Sequence, residues 1–295
     1  MIDYKLLLAL ATVVEQGGFE KAAQVLCLTQ SAVSQRVRLL EDRLGKILLS
    51  RTAPPRPTAA GAQLVKHFHQ VKLLEGDLES TLGDPASDAP TRLAIGINAD
   101  SLASWFLPAI GEMCAQGEVL LDLWVDDQEQ THHFLKAGTV VGCISDHAAS
   151  IQGCRVQSLG EMRYRLLATP AFKTRWFADG LTGESVQQAP AVIFNRKDML
   201  HHRFVQRVVG TKDPFSVIHY VPSPEQFLEM IRRGYGYGMV PDWQSRDLLQ
   251  SDVLVDLCAE RFEAVALYWH CWNLSSPLLQ KFSAMLTVNA ARLLA

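Results

Sequence analysis

"FEKAAQVLCLTQSAVSQRVRLLEDRLG", residues 19–45, holds two helical patterns set so close together that neither can swing freely. In the first, Phe19, Ala22, Ala23 and Leu26 recur at i, i+3, i+4 and i+7, the spacing of one helix face. The second starts at Thr29, whose hydroxyl suits an N-cap, and turns Val33, Val37, Leu40 and Leu44 inward before Gly45 stops it. Upstream, Leu7, Leu10, Ala11 and Val14 form an earlier stripe that ends at Gly17 and Gly18. The pattern predicts three short helices around one core, with the methyl groups of Ala22 and Ala23 allowing the close approach that a helix-turn-helix requires. Behind Thr29, the third helix leaves Gln30, Ser31, Ser34, Gln35 and Arg38 facing outward. Two readings fit that face. It is the solvated side of an ordinary bundle, or it is a helix end slim enough for the DNA major groove, whose side chains donate and accept hydrogen bonds to base edges. A helix N-terminus also offers free N–H groups to phosphate.

The next stretch, "KILLSRTAPPRPTAAGAQL", passes from a short apolar segment through Arg51 and a proline-rich turn carrying Arg56 to Thr58, a suitable cap for a new helix. Prolines stiffen such a turn, so the two arginines can be held as a wing against DNA backbone or minor groove. Residues 1–58 carry a net charge of +3, which leaves −6 on the rest of a chain whose total is −3. A basic end on an acidic body matches the electrostatic footprint of nucleic-acid binding.

Residues 22–61, "AAQVLCLTQSAVSQRVRLLEDRLGKILLSRTAPPRPTAAG", closely resemble the DNA-binding segment of LysR-type transcriptional regulators. The shared features are the A-A pair, T-Q-S-A-V-S, L-E-x-x-L-G, the arginine before the wing, and T-x-x-G opening the linker helix. Two departures stand out: Leu48-Leu49 replaces the usual L-F, and the wing reads A-P-P-R-P. The second departure is similar to the arginine and lysine export regulators within that family. The resemblance implies promoter-DNA contacts at Thr29, Gln30, Ser31, Ser34, Gln35, Arg38, Arg51 and Arg56.

From Thr58 onward, Leu64, Phe68, Val71, Leu74, Leu78 and Leu82 fall at near-heptad spacing. Such a stripe needs cover, either from a second copy in a coiled coil or from the chain's own body. "GDPASDAP", residues 83–90, reads as a hinge. Beyond it, buried-strand runs such as "RLAIGIN", "VLLDLWVDD" and "TVVGCIS" alternate with helical patterns, of which "ADSLASWFLPAIGEMCAQG" reads as one helix with Leu102, Phe106, Ile110 and Met113 on one side. This alternation predicts a parallel α/β sheet. The fold class expected is therefore α/β with an all-α N-terminal winged helix-turn-helix, and the resemblance implies a two-lobed, periplasmic-binding-protein-like effector domain. The expected divisions are 1–58 for DNA binding, 59–91 for the linker helix and hinge, and 92–295 for the effector domain. Lobe one takes 92–162 and 268–295, and lobe two takes 163–267.

In parallel sheets ligands bind beyond the strand C-termini. That rule selects Asn98, Asp100 and Ser101, then Asp126 and Asp127, then Ser145, with Asn195 and Asp198 of "FNRKDM" facing them across a cleft. For Asp100 helix capping is the simpler role, while Asp126 and Asp127 are open to capping or ligand contact. Acidic residues around helix-end donors fit a zwitterion with an extra positive charge, and the resemblance, carried here by N-A-D-S-L-A-x-W, implies lysine or arginine as effector.

Other chemistry finds little support. Six cysteines without a C-x-x-C pair argue against zinc modules and disulfide frameworks, so reduced structural thiols are expected. The pairs His132-His133 and His201-His202 lack the i, i+4 spacing of helical metal sites and read as surface or capping histidines. Trp105, Trp269 and Trp272 read as core. "GYGYG" lacks the frame of a dinucleotide loop, and no catalytic constellation, metal site or cofactor is expected. The opening residues carry neither the basic segment nor the unbroken apolar run of a signal peptide or membrane span, so a cytoplasmic location is expected. The combined expectation is a ligand-responsive transcriptional regulator, not an enzyme. Its expected partners are promoter DNA, lysine or arginine, a second copy in a dimer or tetramer, and RNA polymerase. The alternatives are a small-molecule carrier or enzyme with an incidental helical appendage, and an architectural DNA-binding protein.

Overall fold

A computed structural model describes residues 2–50, 52–82, 90–126, 128–211, 214–259 and 261–294. Arg51, Asp127 and all but the last residue of the hinge stretch lie outside the described residues.

The head consists of α1 (Tyr4–Gln16), α2 (Phe19–Val25) and α3 (Gln30–Leu44). Each boundary has a local cause. Gly17 and Gly45 adopt the left-handed conformation that closes α1 and α3, at φ 69° and 63°. The Thr29 hydroxyl accepts a hydrogen bond from the Ala32 N–H at 3.2 Å, which caps α3 as its sequence predicts. Leu7, Leu10, Ala22, Ala23, Val33, Val37 and Leu40 share one core. Leu44 does not join it: Leu40 is the last residue of the α3 stripe in that core, and Leu44 on the final turn is 39% exposed. The wing is a minimal hairpin with one bridge between Leu49 and Pro57, and the Ser50 N–H donates to the Arg56 carbonyl at 2.7 Å.

Thr58 starts α4 (Ala59–Leu82), its hydroxyl accepting from the Gly61 N–H and donating to the Ile47 carbonyl. Gly61 is required there because a Cβ would fall 2.1 Å from the Leu48 carbonyl oxygen. Leu64, Val65 and Phe68 pack into the head, whereas Leu73 packs into the body. Leu74, Leu78 and Leu82 are exposed.

The body follows as β1 (Thr91–Ile97), α5 (Ala99–Leu102), α6 (Phe106–Ala115), β2 (Val119–Val125), α7 (Gln128–Ala137) and β3 (Gly142–Ser145). The single helix expected over 99–117 is two. Pro108 cannot supply an interior N–H and is tolerated in a first turn, so the chain restarts its helix at Phe106. The long strand β4 (Cys154–Ala168) leads to α8 (Pro170–Trp176), α9 (Gly183–Gln188), β5 (Ala191–Ile193), α10 (Leu200–Val209) and β6 (Ile218–Tyr220). Then come α11 (Pro224–Arg232), β7 (Gly238–Pro241), α12 (Asp242–Gln250), β8 (Val255–Asp256), β9 (Glu263–Trp272) and α13 (Pro277–Leu293).

The main sheet runs β2-β1-β3-β9-β4-β7, with β8 beside β4, and β5 pairs β6 separately. It is mixed rather than parallel. β1 is parallel to β2 and β3, but β9 runs antiparallel to both β3 and β4, and β4 antiparallel to β7. The strand–helix alternation that predicts parallel pairing holds for the first three strands. It fails where β4 and β9 pass side by side between the lobes, a pairing distant in sequence. Trp105, Trp269 and Trp272 lie fully inside the core, as expected. None of the six cysteines, all of them among the described residues, forms a disulfide; Cys143 and Cys271 are buried and Cys27 and Cys114 exposed.

Candidate functional site

On the head, Gln30, Ser31, Ser34, Gln35 and Arg38 are all exposed on the face of α3 opposite Val33, Val37 and Leu40. Thr29 stands exposed at the leading end, and its hydroxyl pairs with that of Ser31 at 3.0 Å. Arg56 is exposed at the wing with its backbone N–H donating to Ser50 Oγ at 3.0 Å. Glu41 escaped the sequence reading although it stands in L-E-x-x-L-G. Its carboxylate accepts from the N–H groups of Leu48 at 2.7 Å and Leu49 at 3.4 Å, which fixes the wing to α3.

In the body, a cleft of about 1120 Å³ opens between the two sides of the crossing strands. Asn98, Asp100, Asp126, Asn195 and Asp198 line it. The register Ile97↔Val125 sets the ends of β1 and β2 level, which brings Asn98 and Asp126 to one wall. Ser101 and Ser145 are fully buried and stay off the cavity wall, and Ser145 Oγ accepts from the His147 N–H. Asp127 lies outside the described residues.

Asp100 does not cap its helix. Its carboxylate accepts a 2.8 Å hydrogen bond from the Tyr164 hydroxyl in the middle of β4. Burial raises the Asp100 pKa, Tyr164 pulls it down, and the net position is above the ordinary carboxylate value. Asn98 Oδ1 is buried without a hydrogen-bond partner.

The far wall is organised by turns. Asn195 Oδ1 accepts from the N–H groups of Lys197 and Asp198, and Asp198 Oδ1 accepts from Leu200 N–H at the start of α10. Asp198 Oδ2 lies 3.0 Å from His201 Nδ1, while His201 Nε2 accepts from the Met239 N–H at 2.9 Å, so the Nδ1 proton faces the carboxylate. Burial raises the Asp198 pKa, but the hydrogen bonds from His201 and from the N–H groups of Leu200 and Phe194 outweigh it and hold it below the ordinary range.

Several polar lining residues were missed, four of them central to the site. Asp146 follows β3 directly, and the strand-end rule that selects Asp126 selects it equally well. Arg196 and Lys197 sit in the Asn195 turn and place positive charge opposite the acidic wall. Tyr164 carries no sequence signal beyond its place in a strand.

The histidine pairs divide: His133 is exposed, as expected, and His202 is half-buried. His132 and His201 are buried, and His132 packs edge-on against His270 and His147 with ring centroids 4.6 and 5.3 Å apart. Burial first, then those two neighbours, push His132 down to about 4. Among the described residues no cluster of three or more His, Cys, Asp or Glu side chains could hold a metal ion. No described helix is long and apolar enough to cross a membrane.

Residues 4–62 match the bacterial regulatory helix-turn-helix protein, lysR family, and residues 87–290 match the LysR substrate binding domain. The chain belongs to the LysR family. This LysR-type protein is a DNA-binding, ligand-responsive transcriptional regulator with a winged helix-turn-helix head and a two-lobed α/β effector domain. It is 45% identical to the HTH-type transcriptional regulator ArgP of Pseudomonas fluorescens (strain Pf0-1) over 295 residues, covering 99% of this chain and 98% of the relative. ArgP from Mycobacterium tuberculosis superposes with a TM-score of 0.86 at 36% identity, covering 99% of each chain. Full-length LysG from Corynebacterium glutamicum, solved with bound effector arginine, superposes with a TM-score of 0.78 at 32% identity and the same coverage.

Proposed function

We propose that the cleft of this regulator takes a basic amino acid, arginine or lysine, and that its occupancy alters how paired heads engage promoter DNA controlling export or metabolism of that amino acid. The observation carrying this reading is the distribution of charge: Asp100, Asp126 and Asp146 gather on one wall, and Arg196 and Lys197 stand on the other, where the one aspartate, Asp198, is already engaged by His201 and by the N–H groups of Phe194 and Leu200. A long zwitterion with a cationic side chain fits such a polarity, and the arginine held by the LysG relative is a molecule of that type.

The division of labour proposed is DNA reading by residues 1–58, connection by 59–91, and sensing by 92–295. Lobe one comprises 92–162 and 268–295, and lobe two 163–267. Thr29, Gln30, Ser31, Ser34, Gln35 and Arg38 face bases, while Arg51 and Arg56 hold backbone or minor groove. Asn98, Asp100, Ser101, Asp126, Asp127, Ser145, Asn195 and Asp198 form or support the effector site. Two heads joined through α4 would address half-sites about 34 Å apart, or a multiple of that. The protein acts by binding, without turnover of the amino acid, and passes its state to RNA polymerase at the promoter.

A thermal-shift series with amino acids tests the ligand. Arginine or lysine at 100 times its Kd stabilises by about 2.7 kcal/mol through mass action, and neutral and acidic amino acids leave the midpoint unchanged. Stabilisation by a neutral or acidic amino acid alone would overturn the ligand assignment. For the DNA half, Arg38→Ala is expected to lose about 1–3 kcal/mol of base discrimination in operator-binding assays.

A further inference from the structure

Between head and body, α4 carries an imidazole that touches both. His69 Nε2 lies 2.7 Å from Glu15 Oε1, at the end of α1, and His69 Nδ1 lies 2.6 Å from the Gly138 carbonyl oxygen. A carboxylate and a carbonyl are both acceptors, so the two bonds are complete together when both ring nitrogens carry hydrogen. The ring is well enclosed, with 17% of the side chain exposed.

The surroundings hold it in place. Gly138 takes a left-handed conformation at φ 78°, and a Cβ there would sit 2.4 Å from Lys66 Cβ, so the body's backbone rests directly on α4. One turn before His69, Val65 belongs to the head's core, and one turn after it Leu73 belongs to the body's core. The linker helix is therefore clamped on both sides, and the His69 ring spans the seam.

Gly138 also ends α7, whose first residues follow Asp126 on the cleft wall. A helix of 10 residues is about 15 Å long. The cleft lies beyond one of its ends and His69 at the other. This chain of packed, hydrogen-bonded elements gives a displacement at the cleft a route to the head, which is the physical requirement for coupling between distant sites.

We propose that His69 is the positioning residue that couples the cleft to the DNA-binding head, by latching the end of α7 to Glu15 of α1. The coupling role rests on reading the cleft as an effector site; the latch itself does not. Breaking the latch leaves arginine binding and operator binding in place and removes the effect of one on the other.

The test uses the full-length protein and two variants, His69→Ala, which removes the ring, and Glu15→Ala, which removes the acceptor at an exposed position. Spin labels on Cys27 in the head and Cys114 in the body, the two exposed cysteines, report the head–body distance. Cys154 and Cys258 are replaced by serine for this measurement, and labelled chains are diluted into unlabelled protein. Without any effector, the parent is expected to give one narrow distance distribution and both variants a broad one. Calorimetry is expected to show arginine Kd within about threefold of the parent, a change of under 1 kcal/mol. The change in promoter transcription on adding L-arginine is expected to fall about tenfold, within the usual range of allosteric coupling.

A parent-like distance distribution, or a full arginine response despite a broadened one, overturns the proposal. If His69→Ala does not fold, Glu15→Ala decides by the same readouts. If the parent binds no arginine, the effector reading fails, and the distance measurement still decides whether the latch exists.

Discussion

Asp100 is a carboxyl group enclosed by two lobes and held by one phenol. Ionising it there is unfavourable until a cation arrives, which is why burial lifts its pKa. The sign for binding follows: the protonated group offers no charge to a basic ligand and the carboxylate does. Arginine affinity is therefore expected to rise as pH climbs through the raised Asp100 value and to level off above it. Calorimetry across pH checks this, with Asp100→Asn giving weaker binding and a flattened profile. Asp198, across the cleft, has the opposite sign and a different consequence. Its pKa is depressed, so the stability it contributes is present above the ordinary value of 3.8 and is lost as pH falls through its lower folded value. Two aspartates selected by the same strand-end reasoning thus divide into one poised for a ligand and one committed to the start of α10. Strand-end position alone does not distinguish them: Tyr164, which decides Asp100, arrives from the distant β4, whereas His201, which decides Asp198, stands only three residues beyond it.

At the scale of elements, the head is where sequence and structure agree most closely, for a local reason. Thr29, Gly17 and Gly45 act within a few residues of themselves, and the stripes of α1, α2 and α3 need only each other as partners. The wing is held less locally. Glu41 binds it from α3, and Gly61 lets α4 lie against the Leu48 carbonyl. Gly61→Ala forces a methyl group into that carbonyl, so α4 or the wing must shift, and overpacking of this kind costs about 1–3 kcal/mol. Urea unfolding measures that loss, and operator affinity is expected to fall beyond it because the wing is displaced. In the body the legibility is weaker. Alternating strands and helices identify the α/β class, but strand direction depends on partners far away in sequence, which is how β9 comes to lie antiparallel between β3 and β4. The break in the helix after Leu102 was readable from Pro108, since a proline at that place is compatible with a new first turn and not with a continuing interior.

At the scale of the whole molecule, α4 sorts its own stripe. Leu64 and Phe68 are taken by the head, while Leu74, Leu78 and Leu82 remain exposed along the outer half. The heptad spacing was visible in the sequence; which residues the chain would cover itself was not. A second α4 is the natural cover for the remainder. Leu78→Asp is expected to weaken self-association by an order of magnitude or more, as seen in sedimentation across concentration, while the monomer's helix content stays unchanged.

The crossing of β4 and β9 sets how such a body can respond. These strands pair from Cys154↔Trp272 to Tyr164↔Glu263, with one irregularity between Ser158 and Gly160, so a single hydrogen-bonded ladder runs through both lobes. A ladder of this kind resists stretching far more than twisting. Capture of a guest would thus be felt as torque about the long axis of the pair, with Gly160, packed against Leu294 near the end of α13, as the place where the winding gives.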